Sequence, residues 1–430
     1  MKPFYALLAN GLTTALAGPT GAVDWWPVPR FDGPTIFSRL LDHHAGGYLS
    51  LEPEGYTTVT QRYRPEGLFL ETHFECPGGF ATITTGLEVG RNALWLTANS
   101  TVPLVLTCRP SFDYGVVRPS FVPLPHGMRF INPVGPGQAA LIIQGPAELM
   151  SRMDQWRCGP GRLTVVFRVL MEAKPDWRWL SAPVPTDADR IWAKSSAFWA
   201  LPTAAQDTEE PIRRSLLIIK GLTFRPTGAP VAAATTSLPE APGESRQWDY
   251  RYVWVRDSAY SGESLLLTGN VVEAKRTSFL PRSTGGIPDA ALLTLPLYGF
   301  VSVHNPYFIN TLKIIESTLV DNGLVYRYRA DDLGKARFPF LLVGFWYARV
   351  LLRQGRHEEA QHVIERHLAQ ATPLGLYGEH ADEQTGTVRG NFPQLFSHSA
   401  LVTTLMEQKF LAQGRPLPEY ALLTATKLMG

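Results

Sequence analysis

The segment RQWDYRYVWVRDSAY, residues 246–260, combines five aromatic side chains with several separated charges. An aromatic cluster alone is typical of a core, whereas charges alone are typical of a surface. Aromatic faces beside carboxylates and guanidiniums suit a cleft that stacks on a flat polar ligand and hydrogen-bonds its hydroxyls. Trp248, Tyr252 and Trp254 are the candidate stacking faces, although core packing is at least as good an interpretation for each of them.

Several other chemistries are not supported by the sequence. The helix-like stretch HEEAQH places His357 and His362 five residues apart, which is not the spacing of two zinc ligands on one helical face. There is no GxSxG nucleophile elbow, and GPGRLTV lacks the context of a phosphate-binding loop. The three cysteines, Cys76, Cys108 and Cys158, lie far apart and form no CxxC pair. We therefore expect no metal, no cofactor and no disulfide framework.

Composition limits the class of protein and its partners. The 430 residues are 45% hydrophobic and 18% charged, which is typical of a soluble globular chain long enough for two domains. The net charge is +2 and no run of lysine or arginine stands out, so neither nucleic acid nor a membrane is an expected partner. The start MKPFYALLANGLTTALAGPTG superficially resembles a signal peptide, but polar and turn-forming residues interrupt its apolar part. We expect a cytoplasmic protein.

The periodicity of apolar residues changes along the chain. Short alternating or β-branched runs such as LFLETHFEC and RLTVVFRVL predict an antiparallel sandwich up to about residue 171. Two helices are predicted in the following linker, at 191–199 and 209–222. Helical periodicity then dominates at 257–268, 289–297, 306–319, 340–353, 357–370 and 397–411, with a weaker segment at 418–428. The predicted domains are a sandwich over 1–175, a linker over 176–240 and a helical domain over 241–430.

A family resemblance adds to this interpretation. RQWDYRYVWVRDSAY resembles the signature of the family 15 glycoside hydrolases, the glucoamylase and prokaryotic trehalase group. Other stretches are similar in the same order, including the opening YALLANGLTTALAGPTGAVDWWPVPRFDGP, LTFRPTGAPVAAATTSLPE, DAALLTLPLYGF and GLYGEHADEQTGTVRGNFPQLFSHSAL. The resemblance covers nearly the whole chain. It implies an α+β multidomain fold, with an N-terminal antiparallel β-sandwich followed by an (α/α)6-type helical barrel.

The resemblance also implies roles for particular residues. It implies inverting hydrolysis of an α-linked glucoside, which needs one carboxyl group as general acid and another as general base. Glu379, followed seven residues later by Gly386, matches the base; a solvated loop carboxylate is the alternative. Arg256 and Asp257 match the pair that hydrogen-bonds the terminal glucose, with a structural ion pair or a helix cap as the alternative. His398 is expected to orient a loop or contact a hydroxyl, or else to be a structural histidine.

The sequence departs from the family pattern at the general acid. Family members carry this acid in a GxWE-type segment between the WVRD helix and the DAALL helix, but only residues 271–288 separate the two here and no GxWE occurs. The seven or so predicted helical segments are also fewer than the twelve of a complete barrel, so we expect a partial barrel with an internal deletion. Glu263, Glu273 and Asp289 are the nearby acids, and none has a spacing that places it as the general acid.

Three functional hypotheses follow from the sequence. The first is a hydrolase of trehalose, maltose or maltooligosaccharides that uses Glu379 and an acid from elsewhere. The second is a pseudoenzyme that binds a sugar, or regulates, without hydrolysis. The third is a subunit whose barrel is completed by a second copy or by a partner chain, because half a barrel would expose apolar surface. In each case the expected ligand is a carbohydrate.

Overall fold

The computed structural model describes residues 4–151, 153–172, 175–184, 189–201, 208–243, 245–269, 289–299, 301–331 and 334–417. The chain divides into two compact units, the first comprising Pro3–Ala200 with Lys220–Pro226 and the second Leu201–Ile219 with Thr227–Gly430. These units divide the predicted linker between them, and the predicted domain boundaries stay predictions. Among the described residues, no helix has the length and apolar character that a membrane crossing requires.

The first unit consists of two antiparallel eight-stranded sheets. One has the order β1-β2-β3-β5-β10-β15-β14, with β4 paired to β3, and the other has the order β11-β12-β13-β16-β9-β8-β7-β6. The strands are β1 Ala6–Ala9, β2 Thr14–Ala17, β3 Val23–Pro27, β4 Thr35–Phe37, β5 Tyr48–Pro53, β6 Thr58–Tyr63, β7 Leu70–Cys76, β8 Gly79–Leu87, β9 Ala93–Ser100, β10 Leu104–Arg109, β11 Ser120–Leu124, β12 Gly127–Ile131, β13 Gln138–Gln144, β14 Ala147–Leu149, β15 Gln155–Cys158 and β16 Gly161–Leu170. A short 3-10 helix, Asp113–Gly115, follows β10.

Aromatic side chains join the two sheets into a sandwich. Trp26 and Phe37 of the first sheet contact Phe167 of the second, with ring centroids 6.1 and 5.2 Å apart. Phe130, from the second sheet, lies 5.8 Å from Phe167, and all four rings are buried. Buried aromatic pairs contribute area burial and about 0.5–1.5 kcal/mol of further interaction each. The predicted β-sandwich is therefore confirmed. Helices α1 Trp177–Leu180 and α2 Asp189–Trp199 also belong to this unit.

The rest of the described chain is mainly helical, as predicted. After α3 Glu210–Gly221, most of which belongs to the second unit, come α4 Val255–Leu267, the 3-10 helix Ala290–Leu293, α5 Thr294–Leu297, α6 Pro306–Leu319, α7 Leu341–Arg353, α8 His357–Leu368 and α9 Leu395–Ala412. Two-residue strands lie at Thr223–Phe224 and Ala229–Pro230, and others form the hairpins Val320–Asp321/Leu324–Val325 and Ala330–Asp331/Gly334–Lys335. The α+β fold class is confirmed, whereas the weak helix predicted at 418–428 lies outside the described residues.

Local chemistry accounts for where several helices begin and end. Glu210 lies in the first turn of α3 and pairs with Arg213 and Arg214, while Lys220 lies in its last turn. This charge order matches the helix dipole. The Asn305 side chain accepts a hydrogen bond from the backbone N–H of Tyr307 and caps α6, whose first residue is a proline. These signals are local, which is why the sequence predicts the helices well.

A buried network of charges connects three helices of the second unit. Arg349 of α7 donates from Nη2 to Glu263 of α4 at 2.7 Å and to Glu407 of α9 at 2.8 Å. Arg353 of α7 pairs with the same Glu407 oxygen at 2.5 Å, and the hydroxyl of Tyr298 donates to Glu263 at 3.2 Å. Burial opposes ionisation of Glu407, but the two guanidiniums outweigh it and hold its pKa below the usual range. Two guanidiniums and two carboxylates thus balance one another between these helices.

Gly344 of α7 is required by close packing against His367 of α8. A Cβ at this position would lie 1.7 Å from Nε2 of the fully buried His367 ring. We expect Gly344→Ala to destabilise the protein by about 2–3 kcal/mol, despite the better helix propensity of alanine, because overpacking a rigid core forces neighbouring groups to shift. Urea unfolding measures this. In a double-mutant cycle, Gly344→Ala introduced into His367→Ala should cost much less, and equal costs in the two backgrounds would contradict a steric conflict with His367.

Candidate active site

Glu379 directly precedes a small hairpin, His380–Asp382 paired with Thr387–Arg389. The Asp382 backbone oxygen accepts from the N–H of Gly386 at 2.6 Å, and the Asp382 carboxylate pairs with Arg389 at 2.6 Å. The backbone oxygen of Glu379 accepts from the N–H of Leu341, the first residue of α7, at 3.1 Å. Hydrogen bonds on both sides therefore hold the residue that precedes the hairpin.

The Glu379 carboxyl group is buried and has a perturbed pKa. Its side chain is only 4% exposed, and Oε1 accepts a hydrogen bond from the Tyr250 hydroxyl at 3.1 Å. Burial, together with the negative charges of Glu240 and Asp257, raises the pKa of Glu379 to about 7, although His380 and the Tyr250 hydrogen bond act in the opposite direction. A carboxylate with a pKa near neutrality is suited to general-base catalysis. A solvated loop carboxylate, the alternative considered from sequence, does not fit this environment.

Gly390 packs closely against the side chain of Glu379. A Cβ on Gly390 would lie 2.9 Å from Glu379 Oε2 and 3.1 Å from its Cβ, and the residue has a φ of +77°. Only glycine adopts this conformation readily and leaves room for the carboxylate. The contact could not be predicted from the sequence, because the glycine in RGNFPQ is equally typical of an ordinary turn.

The predicted aromatic residues present accessible faces. Trp248, Tyr252 and Trp254 are 46%, 52% and 42% exposed, which does not fit core packing. Tyr250, the partner of Glu379, contacts Trp254 with ring centroids 5.7 Å apart. The exposed rings therefore belong to the same segment that contacts the candidate base.

The predicted glucose-binding pair is described only in part. Helix α4 begins at Val255, so Asp257 lies within its first turn and not at its cap. Asp257 is 1% exposed, and its charge contributes to the raised pKa of Glu379. The side chain of Arg256 lies outside the part of the chain that the structure describes.

His398 is fully buried and its ring contacts only protein groups that hold neighbouring segments. Its Nε2 accepts from the backbone N–H of Tyr377 at 3.2 Å, and its Nδ1 lies 3.0 Å from the Ser215 hydroxyl. Burial lowers the pKa of His398 to about 3, so the ring is neutral near pH 7. Neither ring nitrogen is left for a ligand. These contacts favour loop orientation among the roles expected for His398, since Tyr377 lies two residues before Glu379.

Two further ionisable residues adjoin Glu379 and were not found from sequence. Glu240 Oε2 lies 3.6 Å from His380 Nε2 and 3.8 Å from Arg246 Nε. One donor atom from each of Glu240, Glu379 and His380 lies within 4.8 Å of the others. This spacing would admit one ion, but the His380 ring already forms an ion pair with Glu240, and we assign no metal here. Glu240 is 139 residues away from Glu379, so no local pattern shows that they meet.

The general acid remains unassigned. Glu263 belongs to the buried charge network, and Asp289 caps the 3-10 helix at Ala290 while pairing with Arg327 at 3.4 Å. Glu273 lies outside the described residues. For the inverting hydrolysis that the resemblance implies, Glu240 is too near the candidate base, because inverting glycosidases separate their two carboxyl groups by about 6.5–9.5 Å. Of the acids considered, each described one is engaged elsewhere or badly placed.

Comparison with known families shows two parts of the chain that are similar to family models. A model of the trehalase-like N-terminal domain matches residues 4–139, and the model of glycosyl hydrolases family 15 matches residues 208–283 and 282–369. Over these residues the chain is similar to the trehalase and glucoamylase group of glycosyl hydrolase family 15. The resemblance found from the sequence is thus confirmed.

Trehalases are among the similar family 15 proteins. Trehalase 1 of Sulfolobus acidocaldarius is 27% identical, with 96% of this chain and 99% of that protein covered. The trehalase of Mycobacterium tuberculosis is 23% identical, with 94% and 88% covered. The first alignment runs over 567 positions against 430 residues here, so at least 137 positions have no residue in this chain. The family 15 model also matches in two pieces that meet at residues 282–283, which agrees with the predicted internal deletion.

A solved structure shares the fold of this chain. A bacterial glucoamylase complexed with acarbose superposes with a TM-score of 0.69 at 12% identity, covering 97% of this chain and 95% of the glucoamylase chain. At this identity the similarity establishes the fold. It agrees with a sheet-rich first unit followed by a helical second unit.

Proposed function

We propose that this protein hydrolyses α-linked glucosides with inversion and that Glu379 is its general base. The observation that carries this proposal is the buried Glu379 carboxyl group, with a pKa near 7 and a hydrogen bond from Tyr250. When ionised, such a carboxylate accepts a proton from a water that attacks the anomeric carbon. The trehalase and glucoamylase relatives support trehalose, maltose or a maltooligosaccharide as substrate.

The exposed aromatic faces support the carbohydrate as ligand. Trp248, Tyr252 and Trp254 present flat apolar surfaces in the segment that holds Tyr250. Aromatic rings of this kind combine an apolar face with a polar edge, which suits the alternating apolar and hydroxyl-bearing surfaces of a sugar. Asp257 supplies a carboxylate able to accept hydrogen bonds from hydroxyls. The proposed stacking faces and the proposed sugar-binding carboxylate therefore belong to the segment that contacts the proposed base.

A specific observation also favours a second function, binding without turnover. Glu263 and Asp289 are engaged with arginines, and the segment that carries the acid in the family is shortened. Loss of a positioned general acid typically costs about 10²–10⁴-fold in rate. A chain with the base and aromatic faces but no acid would bind a glucoside and release it unchanged.

Product analysis separates the two functions. Purified protein is incubated with trehalose, maltose or maltooligosaccharides and followed by proton NMR. Hydrolysis with inversion releases the attacked glucosyl unit as β-glucose, and trehalose in addition yields its leaving half as α-glucose, before mutarotation equilibrates the anomers. Early release of α-glucose without β-glucose would contradict inversion. A rise in melting temperature with sugar but no product would indicate the binding function.

The predicted second copy or partner chain remains a proposal. Tyr307 and Ile314 of α6 are large apolar side chains that are 85% and 51% exposed, and such surface favours an interface. Light scattering of the purified chain tests self-association. A monomer at all concentrations would contradict a homo-oligomer.

A further inference from the structure

We propose that Glu240 and His380 form a positioning ion pair, in which Glu240 holds the His380 ring where its cation favours the ionised form of Glu379 and orients it as a base. In this arrangement the imidazolium of His380 lies within 4.8 Å of both carboxylates, and Glu240 holds the ring close to Glu379. Neither residue is placed in contact with substrate, so both act through Glu379. This inference rests on the proposed function, because it assigns a partner to the proposed base.

The position of the His380 ring is fixed from several directions. It stacks on Phe340 with ring centroids 5.1 Å apart and an interplanar angle of 28°, and its backbone forms a bridge with that residue. Its Nε2 lies 3.6 Å from Glu240 Oε2, which is an ion-pair distance and longer than a direct hydrogen bond. The ring therefore has little freedom to move away from Glu379.

Contacts with neighbouring segments also fix the position of Glu240. Its backbone N–H donates to the Arg246 carbonyl at 3.2 Å, and Arg246 Nε lies 3.8 Å from its carboxylate. Arg246 is in turn fixed by a 2.6 Å hydrogen bond from its Nη1 to the Tyr328 hydroxyl. The preceding Pro239 accepts at its carbonyl from the N–H of Gly390 at 3.3 Å. Glu240 thus connects the segment of exposed aromatics to the two ends of the Glu379 hairpin.

The charges around this pair agree with the proposal. Burial alone would lower the pKa of His380, but Glu240 and Glu379 outweigh it and raise the pKa above the usual range. In the other direction, His380 is the largest of the influences that lower the pKa of Glu379. The titratable groups that face Glu379 are Tyr250, Glu240, Asp257 and His380. Those that face His380 are Glu240 and Glu379, and the backbone of Phe338 also raises the pKa of His380. Arg389, opposite His380 in the hairpin, is neutralised by Asp382.

The first test reads His380 directly and needs no turnover. Protein labelled with ¹⁵N-histidine is titrated by long-range ¹H–¹⁵N NMR, and the His380 signal is assigned from its absence in His380→Gln. We expect His380 in the wild type to titrate above the ordinary value of about 6.5, and Glu240→Gln to lower that midpoint by about one unit or more. A wild-type midpoint below 6.5, or one that Glu240→Gln leaves unchanged, would overturn the proposal.

The second test follows the ionisation of Glu379 through the pH dependence of hydrolysis. Removing the cation in His380→Gln should move the acid limb of the pH–rate profile upward by about one unit, with activity recovering at high pH. The exposed His357→Gln serves as the matched control and should keep the wild-type profile. An equal loss at every pH would indicate a merely structural role and overturn the proposal. If the protein shows no turnover, the proposed function fails, while the His380 titration still decides the ion pair.

Discussion

The Glu379→Gln variant is expected to lose hydrolysis by about 10²–10⁴-fold, since glutamine keeps the shape of the side chain but cannot accept a proton from water. The buried environment and the Tyr250 hydrogen bond at 3.1 Å should hold either side chain in a similar position. Initial rates of β-glucose release, measured above pH 7 where Glu379 is ionised, give the size of the loss.

A control on the same hairpin distinguishes the loss of the proton acceptor from the loss of a negative charge alone. Glu383 is exposed in the turn that follows Glu379, and Glu383→Gln should retain wild-type activity. If the two variants lose activity to the same extent, or if Glu379→Gln keeps its activity, Glu379 is not the base. Wild-type activity should also fall as the pH decreases below about 7, because Glu379 then becomes protonated.

The same substitution should change stability in a pH-dependent manner. Because the pKa of Glu379 is raised from 4.5 to about 7 on folding, the folded state retains a proton that the unfolded state releases between these values. Wild-type stability therefore decreases as the pH rises through this window. Glu379→Gln does not ionise, so it should be more stable than the wild type by on the order of 3 kcal/mol at pH 8 and about equal to it at pH 4.

Substitution of Glu407 is expected to have the largest effect on stability. In Glu407→Gln the guanidiniums of Arg349 and Arg353 lose the carboxylate that balances them inside the helical core. Breaking a buried pair in this way typically costs about 3–5 kcal/mol, since an uncompensated charge remains buried. Because the pKa of Glu407 is lowered on folding, the loss should be complete above about pH 5 and shrink as acid protonates the wild-type residue.

An exposed ion pair provides the control for this prediction. Glu359 pairs with Arg356 at 2.6 Å on α8, but its side chain is 57% exposed. Glu359→Gln should cost about 1 kcal/mol or less, as surface pairs do. Urea unfolding of the two variants at pH 7 makes the comparison, and similar losses would show that the buried network does not depend on charge balance.

Much of the fold was predictable because its signals are local. The alternation of strands such as Leu70–Cys76 and the capping residues around Pro306–Leu319 depend on near neighbours in the sequence. The Glu379 assignment depended on the family resemblance, because a carboxylate in a loop looks like surface without it. The role of Tyr250 was not predicted, although it lies in the segment that first suggested a cleft.

The supporting residues of the site could not be predicted from the sequence. The Glu240–His380 pair joins positions 140 residues apart, and the Gly390 contact depends on a backbone angle of +77° that has no sequence signature of its own. His398 illustrates the same limit, since its type and position suited either a ligand contact or a structural role. Only the folded environment, with both ring nitrogens occupied by the protein, distinguishes them.

The close approach of Gly390 to Glu379 has an entropic consequence for ligand binding. A free glutamate side chain loses about 1.5–2 kcal/mol of rotamer freedom when it is immobilised. Here the missing Cβ of Gly390 creates a slot for the carboxylate, and Tyr250 closes it from another side, so this freedom is lost during folding. Because the Glu379 side chain is already ordered, binding of a sugar carries no entropic cost for ordering it. More of the interaction energy then contributes to affinity. A side chain at position 390 would occupy the space of the Glu379 carboxylate, and the preorganisation of the base would be lost.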